Sequence, residues 1–257
     1  ASFAGEATAG TESTQTFEQV NLIAKKLMVL TTISNELNED SLINLGDSVA
    51  GEIAYAFAKK EDECGFIGDG TSTYGGIVGA IEAIAGVASN AGIADAASGD
   101  TTEDLVELAA IHALMAALPA YADTPNTKWY MHKSIFSALA ERLVYASGGV
   151  TAREMSQGGL GTSFFGYPVE FTQVMVNSAS ANGAGSGNKV KFPILFGDLS
   201  LACSMGDRRD NTIAFSDSAL NAFEQDEIVV RGTERFDINV HDVGDSSESG
   251  PVVGLLF

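Results

Sequence analysis

Basic residues are scarce. Lys and Arg number 14 against 34 Asp and Glu in 257 residues, a net charge of −20. A surface of that sign repels phosphate backbones and disfavours ordinary nucleic-acid binding. Cysteine occurs twice, as Cys64 and Cys203, far apart in the chain and expected to be reduced rather than bridged. The three histidines, His112, His132 and His241, share no HxxxH spacing, and the cysteines form no CxxC, so no zinc ligand set is present. There is no GxSxG elbow. No apolar run approaches the ~18–20 residues of a membrane span. No basic segment precedes an apolar one at the start, so no secretory signal is expected. Glu36, Glu39 and Asp40 cluster, but ahead of a helix, where capping suits them better than acid–base work. The reading is therefore of a non-enzyme, with no catalytic, metal or cofactor residues.

What is present is enough for a large core. Hydrophobic residues make up 45% of the chain, and a chain of this length buries roughly 70–75% of its unfolded surface. Residues 17–71 organise it. Val20, Leu22 and Ala24 alternate with Asn21, Ile23 and Lys25, and Leu27 to Ile33 continues a β-branched strand. The period then changes. Leu42, Leu45, Val49, Ile53 and Phe57 recur at three and four, which predicts one long helix over about 40–65. Ser41 is its expected N-cap, with Asp40 near the positive end of the dipole, and Gly65 or Gly68 its left-handed terminator.

Downstream, residues 77–99 are Ala- and Gly-rich with weak periodicity and read as a loop with short irregular pieces. A helix follows from Thr101-Thr102, with Leu105, Leu108, Ile111 (or His112) and Met115 as its stripe and Leu118-Pro119 as its end. Lys128 to Met131 reads as a short buried strand and Ile135 to Tyr145 as a helix, an α/β order. Strands are expected at Val169–Val176, Ile213–Phe215, Ile228–Arg231 and Arg235–Val240. The apolar end, residues 251–257, should dock rather than hang free. Two Gly-rich stretches invite a phosphate-loop reading. Gly68-Asp69-Gly70-Thr71 follows a helix end, where the dipole is negative, and Gly183 to Lys189 lacks the Walker spacing.

Several of these segments carry a resemblance. Phe17, Lys26-Leu27, Ile33-Ser34-x-Glu36-Leu37-x-x-Asp40-Ser41 and Phe66-Ile67-Gly68-Asp69-Gly70-Thr71 resemble the major capsid proteins of tailed bacteriophages. Phe196-Gly197-Asp198-Leu199-Ser200, Asp207-Arg208-Arg209, Phe223-x-x-Asp226 and Arg235-Phe236-Asp237 continue the likeness over nearly the whole chain.

The resemblance implies an α+β, Hong Kong 97-like capsid fold. It implies an extended loop and its return in 1–32, a peripheral domain in 33–92 with a spine helix at about 40–65, and an axial domain in 93–200. Residues 201–240 would form the peripheral sheet and loop, and 241–257 the return to the axial domain. An arm and the outgoing strand of the extended loop are expected before Ala1. The implied function is head shell: self-assembly into hexamers and pentamers of an icosahedral virion head around double-stranded DNA, made in the host cytoplasm. Portal, scaffold and decoration proteins are possible partners, and no membrane is involved.

Implied subunit contacts are Phe3, Glu6, Phe17, Lys25, Lys26, Arg208, Arg209, Phe223 and Arg235. Some family members join a lysine to a neighbour's asparagine with help from a glutamate. Here those positions hold Ala7, Asp226 and Thr233, so that crosslink is not expected. Repulsion between subunits of charge −20 makes assembly dependent on salt or divalent ions. An encapsulin-like compartment enclosing a cargo enzyme is the alternative with the same fold, and a small acidic α/β enzyme or binding protein the alternative of another class.

Overall fold

The computed structural model describes residues 19–40, 45–95, 106, 108–146, 163–176, 192–218 and 222–256. Two sheets organise them. One has three strands in the order β1-β8-β7, all antiparallel: β1 Lys25–Ser34, β7 Cys203–Ser216 and β8 Glu227–Val240. The other has six, in the order β2-β9-β6-β3-β5-β4: β2 Ile93–Asp95, β3 Lys128–Met131, β4 Ser163–Phe164, β5 Tyr167–Phe171, β6 Ile194–Gly197 and β9 Val252–Leu256. Its pairs are mixed, β2 with β9 and β3 with β5 running parallel.

The long helix, α2, spans Leu45–Ile67, and a separate short helix, α1, spans Asn35–Asp40. The expected rod at 40–65 is thus shifted, and its proposed cap, Ser41, lies outside the described residues. The apolar stripe is as read. Ile53 and Phe57 are buried against Val230, with Leu27, Val29, Ile33, Val49 and Ile213 around them. At 23 residues the helix is roughly 35 Å long. It passes through Gly65 and stops before Gly68. Gly68 is not left-handed. A Cβ there would lie 2.5 Å from the Cys64 carbonyl and 2.7 Å from that of Ile77, so close backbone approach is what demands glycine.

Strand β1 begins at Lys25, and residues 19–24 run irregularly before it. Ile23 N–H is taken by the Asp237 carboxylate at 2.6 Å and the Asn21 carbonyl by Asn239 at 3.1 Å, so side chains rather than a ladder hold them. The two expected strands at 228–231 and 235–240 are one, because Gly232, Thr233 and Glu234 stay in register with β1. Likewise 213–215 is part of the longer β7, whose register slips twice, between Asp207 and Arg209 and again before Thr212.

The six-stranded sheet is apolar on both faces. Trp129, Met131, Ile194, Phe196, Val253 and Leu255 face α4 (Leu108–Ala117) and α5 (Lys133–Ala146). Tyr130, Leu195 and Val252 face α3 (Ala80–Gly86) and α6 (Leu199–Ala202). A sheet covered on both sides needs no polar alternation, which is why these strands read as short apolar runs.

The segment expected as a loop, 77–99, contains α3 and β2. Ile81 and Ile84 are fully buried, and tertiary burial overrides the weak local period. In α4 the buried residues are Ala110, Ile111 and Leu114, whereas Leu108 is 45% exposed, so the expected stripe is rotated. Strand β5 stops at Phe171 rather than Val176; beyond it, Thr172 N–H bonds the carbonyl of Met131, the last residue of β3. The apolar C-terminal run docks as β9, in register between β2 and β6.

Candidate functional site

The expected contact residues fall into two groups. Phe3, Glu6, Ala7 and Phe17 lie outside the described residues. The rest gather on the three-stranded sheet and its end. Lys25 and Lys26 open β1, Arg208 and Arg209 sit in the irregular middle of β7, and Thr233 and Arg235 lie on β8. Phe223 belongs to α7 (Ala222–Gln225) at the end of the sheet. Register brings Lys26, Arg235 and Arg209 opposite one another in one rank.

Asp226 follows α7 with φ of 52°, a left-handed conformation that Asp tolerates better than most. It binds Asn35 twice: its carbonyl accepts from Asn35 N–H at 3.0 Å and its carboxylate from Asn35 Nδ2 at 2.6 Å. Asp226 is thus a structural clasp. Thr233, in mid-strand, gives its carbonyl to the Thr212 hydroxyl at 3.3 Å.

Beneath the sheet, Glu61 of α2, Asp207 of β7 and Glu234 of β8 bring carboxylate oxygens within 4.8 Å of one another. Glu61 follows Phe57 by four residues, so it points from the buried stripe, and Glu234 is itself buried. The Glu61 carboxyl is pushed up to about 8, first by burial, then by its hydrogen bond to Glu234 and the charges of Glu234, Asp207 and Asp62. Burial and the neighbouring carboxylates thus favour the protonated form of Glu61. Sequence reading missed this trio. The one local signal was a glutamate at the i+4 position of an apolar stripe.

On the other sheet, Asp198 caps α6. It accepts from Ser200 N–H at 2.9 Å, from the Ser200 hydroxyl at 2.6 Å and from the Thr124 hydroxyl at 2.5 Å. Burial alone would raise its carboxyl, but these hydrogen bonds outweigh burial and hold it below the usual range. The histidines serve locally: His132 bonds Ser134, His241 bonds Ser204, and His112 stands edge-on to Phe165. Cys64 and Cys203 are free thiols, raised by burial. Among the described residues no helix is long and apolar enough to cross a membrane.

A model of the phage capsid family matches residues 1–244. The chain belongs to the phage capsid family. Its function is that of a viral capsid structural protein, not an enzyme, and the family sets aside the enclosure of a cargo enzyme. Solved capsid structures share the fold. The capsid of a native GTA particle computed with C5 symmetry aligns over 100% of this chain and 80% of its own, at 20% identity and a TM-score of 0.75. Structures from Mycobacterium phage Bobi and Gordonia phage Cozz align over 91% and 100% of this chain and 72% and 77% of their own. Their identities are 24% and 15%, their TM-scores 0.61 and 0.66. No curated protein matches the chain.

Proposed function

We propose that this capsid protein is the major head-shell subunit of a tailed bacteriophage, forming the hexamers and pentamers of an icosahedral head around double-stranded DNA. The observation that carries this reading is alignment over the full chain with a capsid solved as an assembled particle. In this reading α2 and the three-stranded sheet form the peripheral domain, and the six-stranded sheet with its helices the axial domain. Residues 1–32 supply the extended loop and its return, and β9 brings the C-terminal segment back to the axial domain. Heterologous contacts that close by rotation give the rings. The subunit is made in the host cytoplasm and resides in the virion.

Electron microscopy of the purified chain across ionic strength tests the proposal. The expected result is uniform shells with five-fold and six-fold rings. A monomer at every salt and subunit concentration would sink it.

A further inference from the structure

Helix α2 and strand β8 meet through two apolar clusters. Ile53 and Phe57 pack on Val230 and Gly232, and farther along both elements Cys64 packs with Phe236 and Ile77. Between these clusters each partner places a carboxyl where the pattern calls for an apolar side chain. Glu61 continues the helix stripe after Phe57, and Glu234 lies between Gly232 and Phe236 on the same face of β8. Asp207 of β7 joins them, and the three bring oxygens within 4.8 Å of one another. Glu234 is 7% exposed, so this seam lies largely out of water.

Like charges this close in a partly buried seam repel unless one of them holds a proton. Burial, the hydrogen bond to Glu234 and the charges of Glu234, Asp207 and Asp62 push the Glu61 carboxyl up to about 8. On α2 itself, Asp62 and Cys64 also face the seam, while Lys60 turns to Glu63 at 2.8 Å and to the Tyr74 ring. From β1 the same face presents Leu27, opposite Glu234, and Lys25, whose side-chain stem lies beside Gly75. Arg235 alternates with Glu234 and leaves the other face of β8.

The three elements are held unequally. On one side of Glu61, α2 is fixed by Ile53 and Phe57 against Gly232; on the other, by Cys64 and the close backbone approach at Gly68. Strand β8 is central in its sheet and paired on both sides. Strand β7 is paired on one side among the described strands, and its residues 207–212 are exposed. Between Asp207 and Thr212 only Arg209 keeps a register partner on β8. The middle of β7 is therefore the part that yields first. We propose that Glu61, Asp207 and Glu234 form a proton-operated joint between α2 and the three-stranded sheet. A protonated Glu61 holds the seam closed through Glu234, and loss of that proton releases the middle of β7 from α2 and β8. The pH then sets the shape of the subunit at this place, in addition to its overall stability.

Hydrogen exchange of the full chain, read by mass spectrometry in metal-free buffer at about pH 6 and about pH 9, tests the joint. Rates are corrected for the intrinsic pH dependence of amide exchange, and one assembly state is kept throughout. The expected result is a roughly tenfold or larger drop in protection across residues 205–213 at the higher pH. Strands β6 and β9 of the other sheet should change by less than about twofold. Equal protection of 205–213 at both pH values overturns the proposal. So does a loss spread evenly over both sheets, which is global unfolding.

Two variants assign the effect to the trio. Glu61→Gln keeps a hydrogen-bond donor for Glu234 and carries no charge, so its protection across 205–213 should fall by less than about twofold. Asp207→Asn, at an exposed position that folding tolerates, removes one of the opposing charges and should cut the wild-type drop by at least about half. A drop that either variant keeps in full overturns the proposal.

Discussion

Asn35 and Asp226, 191 residues apart, hold each other by two hydrogen bonds at the end of the three-stranded sheet. The contact joins the end of β1 to the turn that launches β8. Because Asp226 sits at φ 52°, its side chain serves both the backbone conformation and the partner. Asp226→Ala should lower stability by about 1–2 kcal/mol, from the lost acceptor and the left-handed penalty. Asp226→Asn should stay within about 0.5 kcal/mol of wild type. Urea titration of both variants checks this.

The same residue bears on covalent chemistry. The resemblance implies that Ala7, Asp226 and Thr233 take the crosslink positions, and an alanine offers no amine at the first. Assembled shells boiled in detergent should run as a single monomer band on a gel. A ladder of covalent oligomers would refute the assignment.

The Glu61 carboxyl predicts a pH dependence of definite sign. Its folded value of about 8 exceeds the ordinary 4.5, so the folded chain holds an extra proton between them. The stability this proton contributes is full below the ordinary value and is lost as pH rises through about 8. Wild type should therefore lose melting temperature between about pH 5 and about pH 9. Glu61→Gln keeps a donor for Glu234 without the charge and should show less than half that slope. Calorimetry of both proteins at the two pH values decides it.

Gly232 is where sheet and long helix meet closely. A Cβ there would lie 2.6 Å from Ile53 Cγ2 and 2.9 Å from a Phe57 ring carbon. Gly232→Ala should cost about 1–3 kcal/mol by overpacking. Combining it with Ile53→Ala should cost less than the sum of the two single changes. Denaturant midpoints of the two singles and the double test this coupling.

Removing residues 251–257 should be far more damaging than trimming a tail. Val252, Val253 and Leu255 are essentially unexposed, and β9 is an interior strand paired on both sides. The truncated chain should lose the near-ultraviolet circular dichroism of Trp129, which packs on Phe196 at 4.2 Å in the same sheet. It should also be digested rapidly by protease. A truncated chain with wild-type signal and protease resistance would contradict this topology.

Locally encoded features are legible in the sequence. The Ile53 and Phe57 stripe, the short Lys128–Met131 strand and the need of the apolar C-terminus for a site all follow from period or composition, and all stand. The helix α3 is not legible there, since its Ala-rich segment has little period of its own and is held by the sheet beneath it. Nor is the continuity of β8, because Gly232 looks like a break until Phe57 and Ile53 are seen to fill the space above it.

By itself the sequence determined the sign of the charge, the apolar stripe of the long helix, and a chain of motifs that pointed to a capsid protein. Tertiary structure alone decided which charges stand together. Lys26, Arg209 and Arg235 form a rank, and Glu61, Asp207 and Glu234 a trio, only because strand register and helix packing join residues from distant parts of the chain. Register is a property of paired strands, set by the burial of one face against α2, and no single stretch of sequence carries it.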